Sequence, residues 1–201
     1  MKLLGIVLLS YLLGSIPFSH IFPKLKGKDV RKGGTKNIGA TNALVVAGPI
    51  MGVLALAGDI GKGYLAVYLA QQYLVVPWGI TLAAVAAVIG HDFSIFLKFK
   101  GGKGVATTGG ALFAIDLVFG ISALLFWILL ILISRYFIPS TIIILGCIPV
   151  AMWVLGMRVE FIAFGILAFI LALYTHREDI ERIISGKELN TSESIKKHLK
   201  K

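Results

Sequence analysis

Apolar residues in this chain fall into runs close to the length of a membrane crossing, separated by short polar and basic stretches. A helix needs about 20 mostly apolar residues to span the hydrocarbon core. Residues 3–22, 78–97, 117–134, 138–155 and 159–175 meet or approach that length. The first run carries only Lys2 ahead of it and has no small-residue cleavage site leading into a soluble domain. It reads as a membrane helix and not as a signal peptide. Residues 43–76 are interrupted by Asp59 and Lys62. They are too long for one straight helix and too short for two crossings with a loop, so a short or re-entrant piece followed by one crossing is predicted. Residues 104–115 are short and rich in small side chains (Thr107, Thr108, Gly109, Gly110), which predicts a packed inner helix. The total is about seven crossings with one or two short or broken helices, an all-α polytopic architecture.

Composition agrees. The chain is 57% hydrophobic and 15% charged, with a mean hydropathy of +0.89, whereas soluble domains run near 45–50% and about 25%. A soluble globule, a disordered chain and a secreted disulfide scaffold are excluded. The single cysteine, Cys147, has no partner for an internal disulfide or a metal site. The chain reads as one integral membrane domain over residues 1–201, with a flexible basic tail from about 188 to 201.

The net charge of +10 changes the picture through its distribution. No nucleic-acid-binding pattern is present. Seven crossings put the 23–42 loop, the 98–103 loop, Arg135 and the tail after Thr175 on one side. These hold seventeen of the 20 basic residues, with Lys62 inside the membrane and only Lys2 and Arg158 opposite. The positive-inside rule makes the basic side cytoplasmic and places the N-terminus outside. An even number of crossings would expose the basic tail.

Three polar segments lie on that side. In residues 31–42, glycines alternate with hydroxyl, amide and cationic groups. Successive N–H groups there could form an anion-binding nest, or the segment is a flexible basic loop near lipid headgroups. Residues 98–107 place glycines and Lys103 at a helix start, where N–H groups and the helix dipole favour phosphate, although the Walker spacing is absent. The alternative is a tight turn and nothing more. Residues 176–182 put His176 and Asp179 on one helix face and Glu178 and Arg182 at i,i+4. His176 there could act as a base oriented by a carboxylate, or the charges simply cap the last span. Within the membrane, Asp59 and Lys62 are spaced to pair, and His91-Asp92 lies near a span end. No metal-ligand spacing occurs, and no cofactor is expected.

Together these segments resemble the acyl-phosphate:glycerol-3-phosphate acyltransferases of bacterial membranes. The residues concerned are Gly14-Ser15-Ile16-Pro17, Gly39-Ala40-Thr41-Asn42, Asp59 through Lys62-Gly63, His91, residues 99–107 and His176-Arg177. The resemblance implies a seven-helix bundle in the bacterial inner membrane with a cytoplasmic active site. It also implies transfer of a fatty acyl group from acyl-phosphate to sn-glycerol 3-phosphate, giving lysophosphatidic acid and phosphate in phospholipid synthesis. It points to His176, Thr35 and Asp179 as catalytic positions. Lys36, Asn37, Thr41, Asn42, Gly101, Gly102, Lys103, Gly104, Lys62 and Arg177 are the implied phosphate-binding positions. Four departures stand out. Gly34-Thr35-Lys36-Asn37 replaces the family's usual Gly-Ser-Gly-Asn, Val45 an arginine, Asp179 an asparagine and Ser94 a proline. An acyltransferase with another phosphorylated acceptor, an inactive lipid-binding relative and a small transporter are the competing readings.

Overall fold

The computed structural model describes residues 1–191 and Glu193. Lys196, Lys197, His198, Lys200 and Lys201, in the expected flexible tail, lie outside the described residues. The described residues form ten α-helices and no strand.

The first apolar run is broken, where the sequence predicts one helix. α1 (Lys2–Ser15) and α2 (Phe18–Leu25) are separated at Ile16 and Pro17, because proline supplies no N–H to continue the ladder. The 43–76 region is a short piece followed by one crossing, as expected, but the break falls at Gly48 and the helix runs unbroken through Asp59 and Lys62. A short α3 (Ala40–Ala47) turns at Gly48, with φ +90°, into the 25-residue α4 (Pro49–Tyr73). α5 (Pro77–Asp92) ends in a 3₁₀ turn, and α6 (Val105–Ile115) follows the glycine-rich loop. The rest is α7 (Leu117–Ser134), α8 (Phe137–Val154), α9 (Val159–Thr175) and α10 (Arg177–Ile184). Five spans, α1–α2 counted as one, are long and apolar enough to cross a membrane; α9 with α10, bent by 69°, makes a sixth. α6 is a shorter apolar helix packed within the bundle, as the sequence predicts.

α6 has 11 residues, about 16 Å at the α-helical rise, roughly half a hydrocarbon core. Its start lies beside the middle of α4. A Cβ on Gly63 would collide with the Thr107 carbonyl, and one on Gly110 with that of Ile60. Further along, Gln71 donates to the Ala114 carbonyl at 2.8 Å. The two helices therefore run side by side. Between α1 and α5 the same backbone proximity recurs at Gly14 and Gly90, which face the carbonyls of Ala87 and Tyr11. Lipid supplies little hydrophobic drive between helices, so close backbone packing over small residues is the available substitute.

The basic loops converge. The Thr191 N–H and hydroxyl both donate to the Arg135 carbonyl, at 2.8 and 2.9 Å. The segment after α10 thus lies against the α7–α8 connection. Residues 37, 103 and 177 line one cavity. These basic segments thus gather at one end of the described bundle.

Candidate active site

Each wall of that cavity is built by solving a local hydrogen-bonding problem. α5 ends with orphan carbonyls, and the glycine loop satisfies them. Gly102 N–H donates to the His91 carbonyl at 3.0 Å and Gly101 N–H to that of Asp92 at 2.9 Å. This corrects the expectation that the glycine loop before α6 offers its free amides to a phosphate, because the N–H groups of Gly101 and Gly102 are already committed. A Cβ on Gly101 would strike these carbonyls, and one on Gly102 the His91 ring and the Ile38 carbonyl. The glycines therefore let three backbone segments meet. Gly104, with φ +71°, turns the chain into α6 beside the buried Asp92 carboxylate.

The 30–37 loop is organised by one side chain. The Asn42 amide donates to the carbonyls of Val30 and Asn37 at 2.8 Å and Gly33 at 3.3 Å, and accepts from Thr35 N–H at 2.9 Å. Asn42 is buried and fully engaged, so the structure assigns it to the loop and not to a phosphate. Thr41 is exposed on α3 away from the cavity lining. Thr35 and Lys36 are exposed on the loop, and Asn37 reaches the cavity wall.

Lys62 is also corrected. Its ammonium lies 2.9 Å from the Asp59 carboxylate and donates to the Ile16 carbonyl at 2.9 Å, almost wholly buried. Ser19 donates to the other Asp59 oxygen, and His91 Nδ1 stands 3.6 Å from the first. This cluster supports the cavity from behind, through the His91 ring packed on Gly102.

The third wall comes from the α9–α10 bend. His176 is 2% exposed, with Nδ1 2.9 Å from the Ala172 carbonyl. A carbonyl can only accept, so Nδ1 carries the proton and Nε2 the lone pair of a neutral ring. Burial, and next the Lys103 charge, lower its pKa below the ordinary 6.5. Asp179 was expected to orient His176, but its carboxylate pairs instead with Lys103 and Arg182. Arg182 correspondingly reaches Asp179 and Glu188 and not the Glu178 carboxylate. Arg177 lines the cavity, its guanidinium 4.7 Å from the Tyr174 ring centroid, a cation–π distance.

The cavity holds about 330 Å³. Lys100, Lys103, Arg177, Asn37 and the glycine loop line it together with Asp92, Phe93, Phe99, Tyr174 and Thr175. A shallower recess of about 270 Å³, lined by Lys2, Gly5, Ile6, Leu9 and Tyr73, gathers no convergent polar groups. Asp92, the three aromatic residues and Lys100 were not among the sequence candidates. The aromatic residues flank the polar motifs by one or two positions, and that adjacency was the available signal. Among the described residues, no cluster of three or more His, Cys, Asp or Glu could hold a metal.

A family model described as glycerol-3-phosphate acyltransferase matches residues 4–186. The chain belongs to this family. Its relatives include the glycerol-3-phosphate acyltransferase of Pelagibacter ubique, 42% identical over 95% of this chain and 98% of that one. That of Thermotoga petrophila is 40% identical over 90% and 92%. The fold matches the crystal structure of PlsY, an integral membrane glycerol 3-phosphate acyltransferase, in its glycerol 3-phosphate form. The TM-score is 0.89, at 35% identity, covering 94% of this chain and 96% of PlsY. A lysophosphatidic acid form of PlsY matches at 0.88.

Proposed function

We propose that the protein transfers a fatty acyl group from acyl-phosphate to the free primary hydroxyl of sn-glycerol 3-phosphate, releasing lysophosphatidic acid and inorganic phosphate. The observation that carries this reading is the convergence of three basic segments on one polar cavity with aromatic walls, beside a buried neutral histidine. Lys100, Lys103 and Arg177, with Lys36 at the rim, supply charge for two phosphate-bearing substrates. Phe93, Phe99 and Tyr174 suit the start of an acyl chain. The basic face is assigned to the cytoplasm and the N-terminus to the outside of a bacterial inner membrane. Residues 1–201 are read as one membrane domain, with the basic tail beginning at about 188.

In the reaction, the acceptor hydroxyl oxygen bonds to the acyl carbon and the bond from that carbon to the phosphate oxygen breaks. The hydroxyl proton passes to Nε2 of His176, the only ring nitrogen left as an acceptor, and leaves with the released phosphate. Thr35 and Asn37 are read as donors to substrate oxygens, and Asp179 as a residue that tunes the cations. Acyl-phosphate is already activated, so holding both substrates in register and offsetting the charge that develops on the carbonyl and leaving phosphate supply most of the rate.

The test is turnover by purified, reconstituted protein, with phosphate release and lipid product measured together. Acyl-phosphate with glycerol 3-phosphate should yield equal amounts of both. Yield only with another polyol phosphate would reassign the acceptor. No product with any acceptor would overturn the enzyme reading.

A further inference from the structure

The 33–37 loop contains a backbone outlier that the reaction above leaves unexplained. Lys36 has φ +62°, in the left-handed region that glycine enters freely and a residue with a Cβ enters only at a cost. Its N–H closes a turn on the Gly33 carbonyl at 3.0 Å, and the chain leaves that turn in the left-handed region. A costly residue in such a place directs attention to its side chain. Lys36 is exposed, and its ammonium makes no ion pair or hydrogen bond among the described residues. Lys103, at the head of α6, is in the opposite condition. It is held by Asp179, a 3% exposed carboxylate that also holds Arg182.

Lys103 lines the cavity, and Lys36 stands one residue from its lining. Asn37, next to Lys36, lines it with Lys103, and the Ile38 carbonyl packs on Gly102. Asp179 thus draws one positive charge out of the cavity, and Lys36 brings one to its rim on a flexible stem.

The geometry points to an exchange of roles: Lys36, and not Lys103, is the cation that meets the phosphate of the acceptor, because Asp179 keeps Lys103 occupied. Lys36 and Asp179 are then a coupled pair that sets acceptor affinity. This rests on the acyltransferase reading for the identity of the acceptor, and it deepens that reading.

Binding of glycerol 3-phosphate by calorimetry on the purified full chain tests it separately from turnover. Lys36→Gly should weaken binding about tenfold or more, as loss of a charged hydrogen bond does. It should also raise the thermal midpoint by a few degrees by relieving the backbone. Lys36→Arg should bind within about threefold of wild type. Asp179→Asn should bind at least as tightly as wild type. In the double variant Lys36→Gly/Asp179→Asn the freed Lys103 should recover most of the lost affinity. Unchanged binding in Lys36→Gly, or a full tenfold loss persisting in the double variant, overturns the exchange. Wild type that binds normally but never turns over would sink the reaction and leave the exchange standing. Wild type that does not bind glycerol 3-phosphate at all would sink both.

Discussion

Two lysine–aspartate pairs sit on either side of the glycine loop. Asp59–Lys62 is wholly inside the bundle, with Ser19, His91 and the Ile16 carbonyl closing around it. Lys103–Asp179 lies at the cavity, with Arg182 sharing the carboxylate. The lysine side chains are 2% and 22% exposed, and that difference decides what each pair can do. A pair sealed by its neighbours holds backbone segments in place and cannot meet a substrate. A pair beside open volume sets how much positive charge the cavity presents to an incoming anion. Intramembrane charge is functional by default, but here the deeper pair is the scaffold.

Breaking the inner pair should produce the largest effect. Asp59→Ala leaves the Lys62 ammonium buried without its counter-charge, an expected loss of about 3–5 kcal/mol in stability. It should be visible in denaturation of the purified protein or as failure to accumulate. Asp59→Asn, which keeps a hydrogen-bonding group, should lose less.

At the cavity, His176→Ala should lower turnover by a factor of roughly 10² or more while the thermal midpoint stays near that of wild type. A collapse of stability in place of turnover would move His176 into the scaffold class.

Gly102→Ala tests the join between the two regions. Its Cβ would meet the His91 ring and the Ile38 carbonyl, so a destabilisation of about 1–3 kcal/mol is expected from overpacking. Substrate affinity should fall as a consequence of loop displacement. Loss of affinity with full stability would restore a direct phosphate contact at this glycine.

The smallest effect concerns pH. Burial and Lys103 hold the His176 pKa below 6.5, so the base is already neutral at pH 7. The acid limb of kcat/KM should therefore fall below pH 6.5. Lys103→Ala removes one of the two lowering influences, so its acid limb should move upward, which pH profiles of the two proteins would show.

Much of this was legible in the chain. The length of the apolar runs and the small-residue character of residues 104–115 follow from local pattern, because a crossing must satisfy its own backbone, whereas that pattern places at Asp59 and Lys62 a break that falls at Gly48. The helix break at Pro17 could have been read from the residue itself. The site was legible as three segments but not as an arrangement. Asn42, Lys62 and the two amides of Gly101 and Gly102 have the right chemistry for a phosphate, and nothing local reveals that the fold has already committed them.

The sequence by itself determined the all-α membrane architecture, the basic segments and the residue types of the site, since period, length and charge are properties of neighbours along the chain. Tertiary structure alone decided which donors remained open. Asn42 spends its amide on carbonyls up to 12 residues away, and Lys103 finds Asp179 across 76 positions. A polar group's availability is what its whole surroundings leave unpaired, and those surroundings exist only once the helices pack.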